Sequence, residues 1–382
     1  MEIRGFKSYD QFLLEKDSSK IIPKESTEFD KKVGFIKLSH DMSALDGGTT
    51  GRQLWMNQAA LNKLYLTYST LEDLDKDIKV PTDIPMLNYG GHSKQETKDF
   101  IKKHKIPTEN LYNKGEFTKL SGSKVEFAKI FKGKDWLPKT VFNRDEAING
   151  QVGFPVIAKI EDGHSGLGIK KFDTKEDLEK EPKTFTLRGD ERTFDLYSQF
   201  INFDREYRCI FIDGKCVIVN ERVDNIKEDK SIRTKKLNQK LKFIYVEQDF
   251  DKIPKEWLEK VNKIAKEISK EIPLEAWSLD IIVDKEGKIW VCEINSATGL
   301  GSGKLCKYYM TIYENFYKKQ LPQEFKDELF TNFISQGYIQ FWPEKKKEIE
   351  SSPWAIDYAK IAKDYPEIPD QWYKDRLEGS KN

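Results

Sequence analysis

Three oxygen-bearing side chains fall near one predicted turn in the C-terminal half of the chain. Asp280 and Glu293 flank a turn at Lys285–Gly287, and counting outward from it places them within about one residue of facing each other. Asn295 follows Glu293 by two positions, so both side chains point to one face of a strand. Carboxylate and amide oxygens suit a hard cation such as Mg²⁺, with Mn²⁺ as the alternative. We therefore predict a metal site at Asp280, Glu293 and Asn295.

The alternative is an exposed hairpin that carries scattered charges. The neighbouring stretches Ile281–Val283 and Trp290–Cys292 are strongly apolar, which indicates buried strands. Charged side chains rarely enter such strands without a partner, because the burial of an isolated charge is costly. The apolar neighbours therefore favour the metal site.

A second candidate feature is the glycine-rich stretch "KIEDGHSGLG", residues 159–168. Glycine lets backbone N–H groups approach a phosphate and lysine adds charge, although an ordinary turn uses the same residues. Predicted strands "FPVIAKI" and "GIKKFD" lie on both sides of the loop. Walker A and dinucleotide motifs need a strand followed by a helix, so both are excluded. The spacing from Lys159 to Asp162-Gly163 is also one residue too long for a K-x-D-G nucleotidyl-transfer motif.

Regular elements are predicted on both sides of these features. Strands at 32–38 and 86–88, and a helix that begins with the capping-box pair Ser93 and Glu96, indicate a small α/β domain to about residue 118. Further along, the patterns predict a helix at 123–131, a strand at 195–201, a hairpin at 205–223 that turns at Asp213-Gly214, and a helix at 257–272. Residues 224–242 are polar and basic and are predicted to form a loop, and the tail is predicted to be helical.

Composition excludes several classes of protein. The 382 residues carry 65 basic and 64 acidic side chains, a net charge of +1, so no overall field favours nucleic acid or acidic membranes as partners. No apolar run reaches the ~18 residues of a membrane span, and the N-terminus lacks the apolar core of a secretory signal. The four cysteines show no C-x-x-C spacing and are predicted to be reduced, which indicates a cytoplasmic protein.

The predicted elements also occur in a recognisable order. A helix with Lys124, the strand and loop at 154–168, the strand and hairpin at 195–223, and the hairpin at 277–295 resemble an ATP-grasp ligase over roughly residues 120–305. The resemblance implies an α/β N-terminal domain followed by an α+β ATP-grasp fold of two lobes, each with an antiparallel sheet and helices. The expected domains are a leader at about 1–30, an α/β domain at 31–118, the ATP-grasp domain at 119–321 and a helical extension at 322–382.

Site roles follow from the resemblance by position. Lys124 and Lys159 look like the two ATP-contacting lysines, Glu206 like the ribose-binding acid, and Arg222 and Arg233 like basic residues that meet the phosphates. The sequence departs from the family at Thr298, where proline is common, and at His164 and Leu167 of the loop. The other implied positions are His164, Ser165, Gly166 and Gly168 over the phosphates, Ser198, Gln199 and Ile201 beside the adenine, and Asp280, Glu293 and Asn295 on Mg²⁺.

Several of these residues also have plain structural interpretations. Lys124 could be a solvent-facing residue in the first turn of a helix, and Arg222 could be a surface charge at the end of a strand. Arg233 lies in a basic loop and could be solvated there.

The resemblance implies a ligase that uses ATP and Mg²⁺ to join a carboxylate to an amine through an acyl phosphate. The substrates would be small molecules or peptides. Two alternatives remain at this point: a catalytically silent ATP-grasp protein that serves as a virion or scaffold component, and an ATP-grasp phosphotransferase. The intact set Asp280, Glu293 and Asn295 argues against the silent protein.

The two ends of the chain add weaker expectations. The N-terminal "FKSYDQFLLEK" resembles the capsid-targeting leaders of large tailed phages, with Leu13-Leu14-Glu15 as the cleavage motif. That resemblance implies a protein of the host cytoplasm that is associated with the phage capsid or packaged in the virion; the alternative is an amphipathic helix docked on the domain. The aromatic tail around Trp354–Trp372 could pack on the core or on a second subunit in a homodimer.

Overall fold

The computed structural model describes residues 34–38, 65–69, 85–88, 94–161, 163, 168–187, 189–224, 243–298, 302–318 and 320. Among these, residues up to 115 and from 302 onward belong to one compact unit, and residues 116–298 belong to a second. The predicted leader at 1–30 and the tail at 322–382 lie outside the described residues, as does the predicted loop at 224–242 except for Asp224, which ends a strand.

The first unit contains a parallel sheet, as expected for an α/β domain. Its strands are ordered β2-β1-β3-β4 and every neighbouring pair is parallel. Met86 and Leu87 are fully buried, so β3 is a core strand. The elements are β1 (Gly34–Leu38), β2 (Tyr65–Ser69), β3 (Met86–Asn88), helix α1 (Lys94–His104), a 3₁₀ turn (Thr108–Asn110), β4 (Leu111–Tyr112) and, later in the chain, the last described helix (Ser302–Tyr317).

The second unit begins with two helices and a four-stranded antiparallel sheet. The sheet order is β5-β10-β6-β7, and Val156, Ala158 and Phe172 lie in its core. A small two-stranded hairpin, which the sequence analysis did not anticipate, precedes the last strand of the sheet. The elements are α2 (Gly115–Gly122), α3 (Lys124–Ile130), β5 (Thr140–Val141), α4 (Arg144–Ile148), β6 (Val156–Lys159), β7 (Ile169–Phe172), α5 (Lys175–Lys180), the hairpin β8 (Phe185–Leu187) and β9 (Asp190–Arg192), and β10 (Leu196–Gln199).

A five-stranded antiparallel sheet completes the second unit. Its order is β13-β12-β11-β14-β15, and both predicted hairpins, with turns at Asp213-Gly214 and Lys285–Gly287, form neighbouring pairs in it. The elements are β11 (Phe203–Ile212), β12 (Lys215–Asp224), β13 (Phe243–Glu247), a 3₁₀ turn (Phe250–Lys252), α6 (Lys255–Glu271), β14 (Ala276–Asp284) and β15 (Ile289–Asn295); the helix at Ser302–Tyr317 is α7.

Alternation of side chains assigns the two faces of this sheet. Tyr207, Cys209 and Phe211 of β11 point into the hydrophobic core with Trp277, and the Phe211 and Trp277 rings stack with centroids 4.8 Å apart. Helix α6 packs on this face through its buried apolar residues. Because successive strand residues point to opposite faces, the intervening polar residues of β11, β14 and β15 collect on the other face. That second face carries the candidate site.

The described residues also bear on the predictions from composition. Cys209, Cys216 and Cys292 are free thiols, as the cysteine spacing predicted. No helix within the described ranges combines the length and the apolarity that crossing a membrane requires.

Candidate active site

The β14–β15 hairpin brings the predicted metal-binding residues together. Asp280 and Glu293 are direct partners in the register of the two strands, as the count from the turn predicted. The Asn295 side-chain amide donates to Asp280 Oδ2 at 3.5 Å and to Glu293 Oε1 at 3.4 Å. Asp280 is buried, which rules out the exposed hairpin with scattered charges. Two carboxylates and an amide thus converge on one face of the sheet.

Arg208 is the most important residue that the sequence analysis missed. It faces Asp280 across β11 and β14, and its guanidinium donates to both carboxylate oxygens, from Nε and NH2, at 2.7 Å each. Its NH1 also donates to the main-chain carbonyl of Thr298 at 3.1 Å. Because that contact uses the backbone, threonine in place of the common proline leaves it intact. The sequence did contain a signal for Arg208. It follows Glu206 by two positions on a strand, so the two side chains share a face.

The surrounding cations determine how the two carboxylates ionise. Burial raises the pKa of Asp280 above its usual value, and the charge of Arg208 only partly opposes that rise. Burial also disfavours the charged form of Glu293, but Lys124, Arg208 and Lys159 outweigh it and hold the pKa of Glu293 below its usual value. The site therefore combines one buried and one partly buried carboxylate with three positive side chains.

The two predicted lysines both lie at this cluster. Lys124 is the first residue of α3, and its Nζ lies 3.2 Å from Glu293 Oε2 and donates to the carbonyl of Gly163. Its side chain is only 13% exposed, so the alternative of a solvent-facing lysine is wrong. Lys159 is the last residue of β6, and its charge acts on Glu293 and on the Cys292 thiol. Two separate elements thus direct lysines toward one carboxylate.

The glycine-rich loop joins two paired strands, as the sequence predicted. Its base is closed by β6 and β7 and by a hydrogen bond from Ile160 N to Gly168 O at 3.0 Å. Gly168 has a φ of +69°, and a Cβ there would lie 2.4 Å from the Ile160 side chain, so glycine is required on both counts. His164, Ser165 and Gly166 lie outside the described residues.

Comparisons with known proteins identify the family. The family model for the D-ala D-ala ligase C-terminus matches residues 120–313. The chain belongs to this family. The expected ATP-grasp fold, with an α/β N-terminal domain before it, is confirmed. The protein is an ATP-grasp ligase of the kind that forms C–N bonds and releases ADP, and its general reaction is ATP-dependent ligation of a carboxylate and an amine.

Solved structures are similar in fold but distant in sequence. Carboxyaminoimidazole ribonucleotide synthase from Aspergillus clavatus, complexed with ATP, aligns with a TM-score of 0.52 at 11% identity over 76% of this chain and 78% of that chain. D-alanine–D-alanine ligase from Bacillus anthracis aligns with a TM-score of 0.48 at 17% identity over 79% and 96% of the two chains. A search of curated proteins by sequence found no match.

In this ATP-grasp ligase, the strand predicted to frame the adenine connects the two sheets. Ser198 is buried and its hydroxyl lies 2.9 Å from that of Thr140, while the Gln199 N–H donates to Lys139 O at 2.8 Å. Ile201, just beyond β10, is buried as well. These bonds tie the end of β10 to the start of β5.

The predicted ribose-binding acid of the ligase has a basic partner. Arg222 NH1 donates to Glu206 Oε1 at 3.0 Å, and the two side chains are only 14% and 15% exposed. The alternative of a surface charge at Arg222 is therefore wrong. Arg233 lies outside the described residues.

The ligase also places a thiol at the site that the sequence analysis did not assign. The register of β14 and β15 shifts between Asp280 and Ile281, so Cys292 is an unpaired bulge residue beside Glu293. Burial raises the pKa of Cys292 to about 12, with Lys159 the strongest opposing charge. The thiol is thus protonated near neutral pH and is a poor nucleophile.

Proposed function

We propose that the enzyme activates a carboxylate as an acyl phosphate and then transfers the acyl group to an amine. The observation that carries the proposal is the convergence of Lys124, Lys159 and Arg208 on the buried Asp280 and the partly buried Glu293. Such a set can bind a polyphosphate with its metal and stabilise the charge that shifts during phosphoryl transfer. Positioning and electrostatics suffice for this chemistry, so no covalent enzyme intermediate is needed.

Asp280, Glu293 and Asn295 would hold Mg²⁺, or Mn²⁺ in its place. Their donor set fits a hard cation, because rotation of the Asn295 amide turns its oxygen to the side where its nitrogen now meets both carboxylates. When bound, the metal supplies charge neutralisation to the phosphate oxygens. Within the described residues, no group of three His, Cys, Asp or Glu side chains is placed to hold a metal. The amide is thus an integral part of the proposed ligand set.

The phosphate-binding roles belong to the basic residues and the glycine-rich loop. Lys124 and Lys159 would meet the phosphates of ATP, and residues His164, Ser165, Gly166 and Gly168 would cover them. Arg208 is a further candidate for phosphate binding, because its planar guanidinium group is held in place by Asp280. Arg222 and Arg233 stay proposals for contacts further along the phosphates or the acyl phosphate.

The reaction balances in two steps. A substrate carboxylate oxygen attacks the γ-phosphorus, a new O–P bond forms, and the bond to the β-phosphate oxygen breaks to release ADP. An amine then attacks the carbonyl carbon, a C–N bond forms, and phosphate leaves while the nitrogen loses a proton. The cations would stabilise the negative charge of ADP and phosphate as they form.

Adenosine would bind along β10 and the start of β11. Main-chain groups at Ser198, Gln199 and Ile201 would recognise the adenine. The side chains of this segment are then available for packing, and that of Ser198 for the bond to Thr140. Glu206 would accept from the ribose hydroxyls and would be held in place by Arg222. A small molecule or a peptide remains the proposed substrate class.

Nucleotide binding tests the proposal directly. We expect calorimetry to show Mg²⁺-dependent ATP binding by the wild type and a loss of at least about tenfold in Glu293→Ala, because a metal ligand is removed. Glu286→Ala is the matched control, since Glu286 is an exposed acid in the turn of the same hairpin. A folded wild type that does not bind Mg²⁺–ATP would contradict the proposal.

Product analysis separates ligation from simple phosphoryl transfer. Carboxylates and amines would be screened in pairs for ADP release, and the products analysed by mass spectrometry. A ligase consumes the amine and releases free phosphate. A phosphorylated product with the amine untouched would instead indicate a phosphotransferase.

A further inference from the structure

The first residue of the glycine-rich loop, Glu161, is held at both its main chain and its side chain. Its N–H donates to Asp195 Oδ2 at 2.8 Å. Its Oε1 accepts from the Ser123 hydroxyl at 2.5 Å, a contact between residues 38 positions apart. Glu161 itself is exposed, so these bonds are not a by-product of core packing. They anchor the point at which the chain leaves β6.

Ser123 links this anchor to a helix. It is the N-cap of α3, and its hydroxyl also accepts from Glu126 N at 3.1 Å. A hydroxyl can donate one bond while it accepts another, so both contacts can be made together. Helix α3 packs through Phe127 and Phe131 into the core below the five-stranded sheet. The loop that arises from one sheet is therefore tied to the core of the other.

The next residue of the helix contacts the same loop two positions on. Lys124 donates to the carbonyl of Gly163 while it pairs with Glu293. Consecutive residues at the start of α3 thus bind alternate residues of the loop, Glu161 through Ser123 and Gly163 through Lys124. A shift of Glu161 would move Gly163 and with it the lysine that faces the proposed metal ligand.

We propose that Ser123 and Glu161 are positioning residues that fix the base of the phosphate-covering loop relative to Lys124. The Ser123–Glu161 hydrogen bond sets where the loop begins, and it thereby keeps Gly163 in contact with Lys124. Its effect is confined to the phosphates, because the residues proposed for adenosine lie on β10 and β11. This inference rests on the proposed function of the site.

Calorimetry on four variants of the full chain tests the inference. We expect Glu161→Ala and Ser123→Ala to weaken Mg²⁺–ATP binding about fivefold and to leave AMP binding within about twofold of wild type. Glu161→Gln and Ser123→Thr keep an acceptor oxygen and a hydroxyl at the two positions, so both should restore ATP binding to within about twofold.

Thr174→Ala is the matched control for the loss of a helix cap. Thr174 caps α5 in a capping box: its hydroxyl accepts from Asp177 N at 3.2 Å, and its N–H donates to Asp177 Oδ2. Both bonds stay within residues 174–177. Its removal should lower thermal stability about as much as Ser123→Ala does and should leave ATP binding unchanged. Such a result would separate the positioning role from helix capping.

Three outcomes would overturn the inference. They are ATP binding by Glu161→Ala equal to wild type, equal weakening of ATP and AMP, and failure of Glu161→Gln to restore binding. If wild type itself does not bind Mg²⁺–ATP, the proposed function fails first, so the two failures are distinguishable.

Discussion

Among single residues, each buried or partly buried acid of the site has a basic partner. Asp280 pairs with Arg208, Glu293 with Lys124, and Glu206 with Arg222. Pairing is necessary because an uncompensated buried charge is costly. Under the proposed function, a metal would take over the neutralisation of Asp280 and Glu293, and the cations would then be available to phosphate.

Removal of Arg208 should destabilise the protein as well as the site. We expect Arg208→Ala to lower the free energy of unfolding by about 3 kcal/mol, because Asp280 would be left buried without its bidentate partner. Arg208→Lys, which keeps the charge but not the fork, should lose less. Urea denaturation at neutral pH measures both.

Arg205→Ala on the same strand is the control for Arg208. Its side chain is 34% exposed and lies 3.8 Å from Glu221, a pair expected to contribute less than about 1 kcal/mol. Equal losses of unfolding free energy in the two alanine variants would show that the Arg208–Asp280 pair stabilises the fold no more than the Arg205–Glu221 pair does.

At the scale of elements, two hairpins present the site and their turns determine the register. Asp213 and Gly214 both have positive φ, at 47° and 76°, as a tight two-residue turn requires. The turn between β14 and β15 is organised by Asp284, whose Oδ1 accepts from Glu286 N at 3.1 Å and Lys288 N at 2.8 Å, while Oδ2 accepts from Trp290 Nε1 at 2.8 Å. A slip by one residue would move Glu293 to the wrong face.

Loss of the Asp284 carboxylate should weaken this turn in a pH-dependent way. Burial opposes its ionisation, but the bonds from Trp290, Lys288 and Glu286 prevail and lower the pKa of Asp284 below its usual value. A lowered folded-state pKa gives stability that is present above the unfolded pKa and lost as pH falls through the folded one. We expect Asp284→Ala to cost about 1–2 kcal/mol at pH 7 and progressively less in acid.

Asp284→Asn separates charge from hydrogen bonding in that turn. The amide keeps an acceptor oxygen but does not titrate. The free energy of unfolding of this variant should therefore lack the part that Asp284 makes dependent on pH below about 4. Urea denaturation between pH 3 and pH 7 provides the comparison. A constant difference between wild type and Asp284→Ala across that range would contradict the assignment.

At the scale of the whole molecule, the candidate site lies within the second compact unit. Residues from α3 to β15 supply every described member of the site, and that unit includes 116–298. The family match runs from 120 to 313. The boundaries predicted at 118 and 321, and the capsid-type leader and the helical tail, stay predictions.

Nucleotide should stabilise the folded chain if the site is formed by the native arrangement. At ATP about 100-fold above its dissociation constant, with Mg²⁺, we expect about 2.7 kcal/mol of added stability, because the ligand binds the folded state alone. Thermal unfolding followed by circular dichroism would record this rise in Tm for wild type and for Glu286→Ala, and a clearly smaller rise for Glu293→Ala. A rise of the same size in Glu293→Ala would show that ATP stabilises the protein elsewhere.

Local features of the fold could be predicted from the amino-acid sequence. Strand alternation, the turn residues at Asp213-Gly214 and Lys285–Gly287 and the helical pattern at 123–131 depend on neighbours along the chain. The hairpins, helix α3 and the facing of Asp280 and Glu293 were therefore predictable. The small elements β8 and β9 were missed because three-residue strands carry too little periodicity to be recognised.

Contacts between residues that are distant along the chain could be identified from the tertiary structure alone. The Arg208–Asp280 pair joins residues 72 positions apart, and Lys124 reaches Glu293 and Gly163 from a different element again. Nothing in the local pattern specifies such contacts, because they depend on which strands become neighbours in the sheet and on where α3 packs. The physical reason is that periodicity assigns a side chain to a face, whereas strand order and core packing assign its partner.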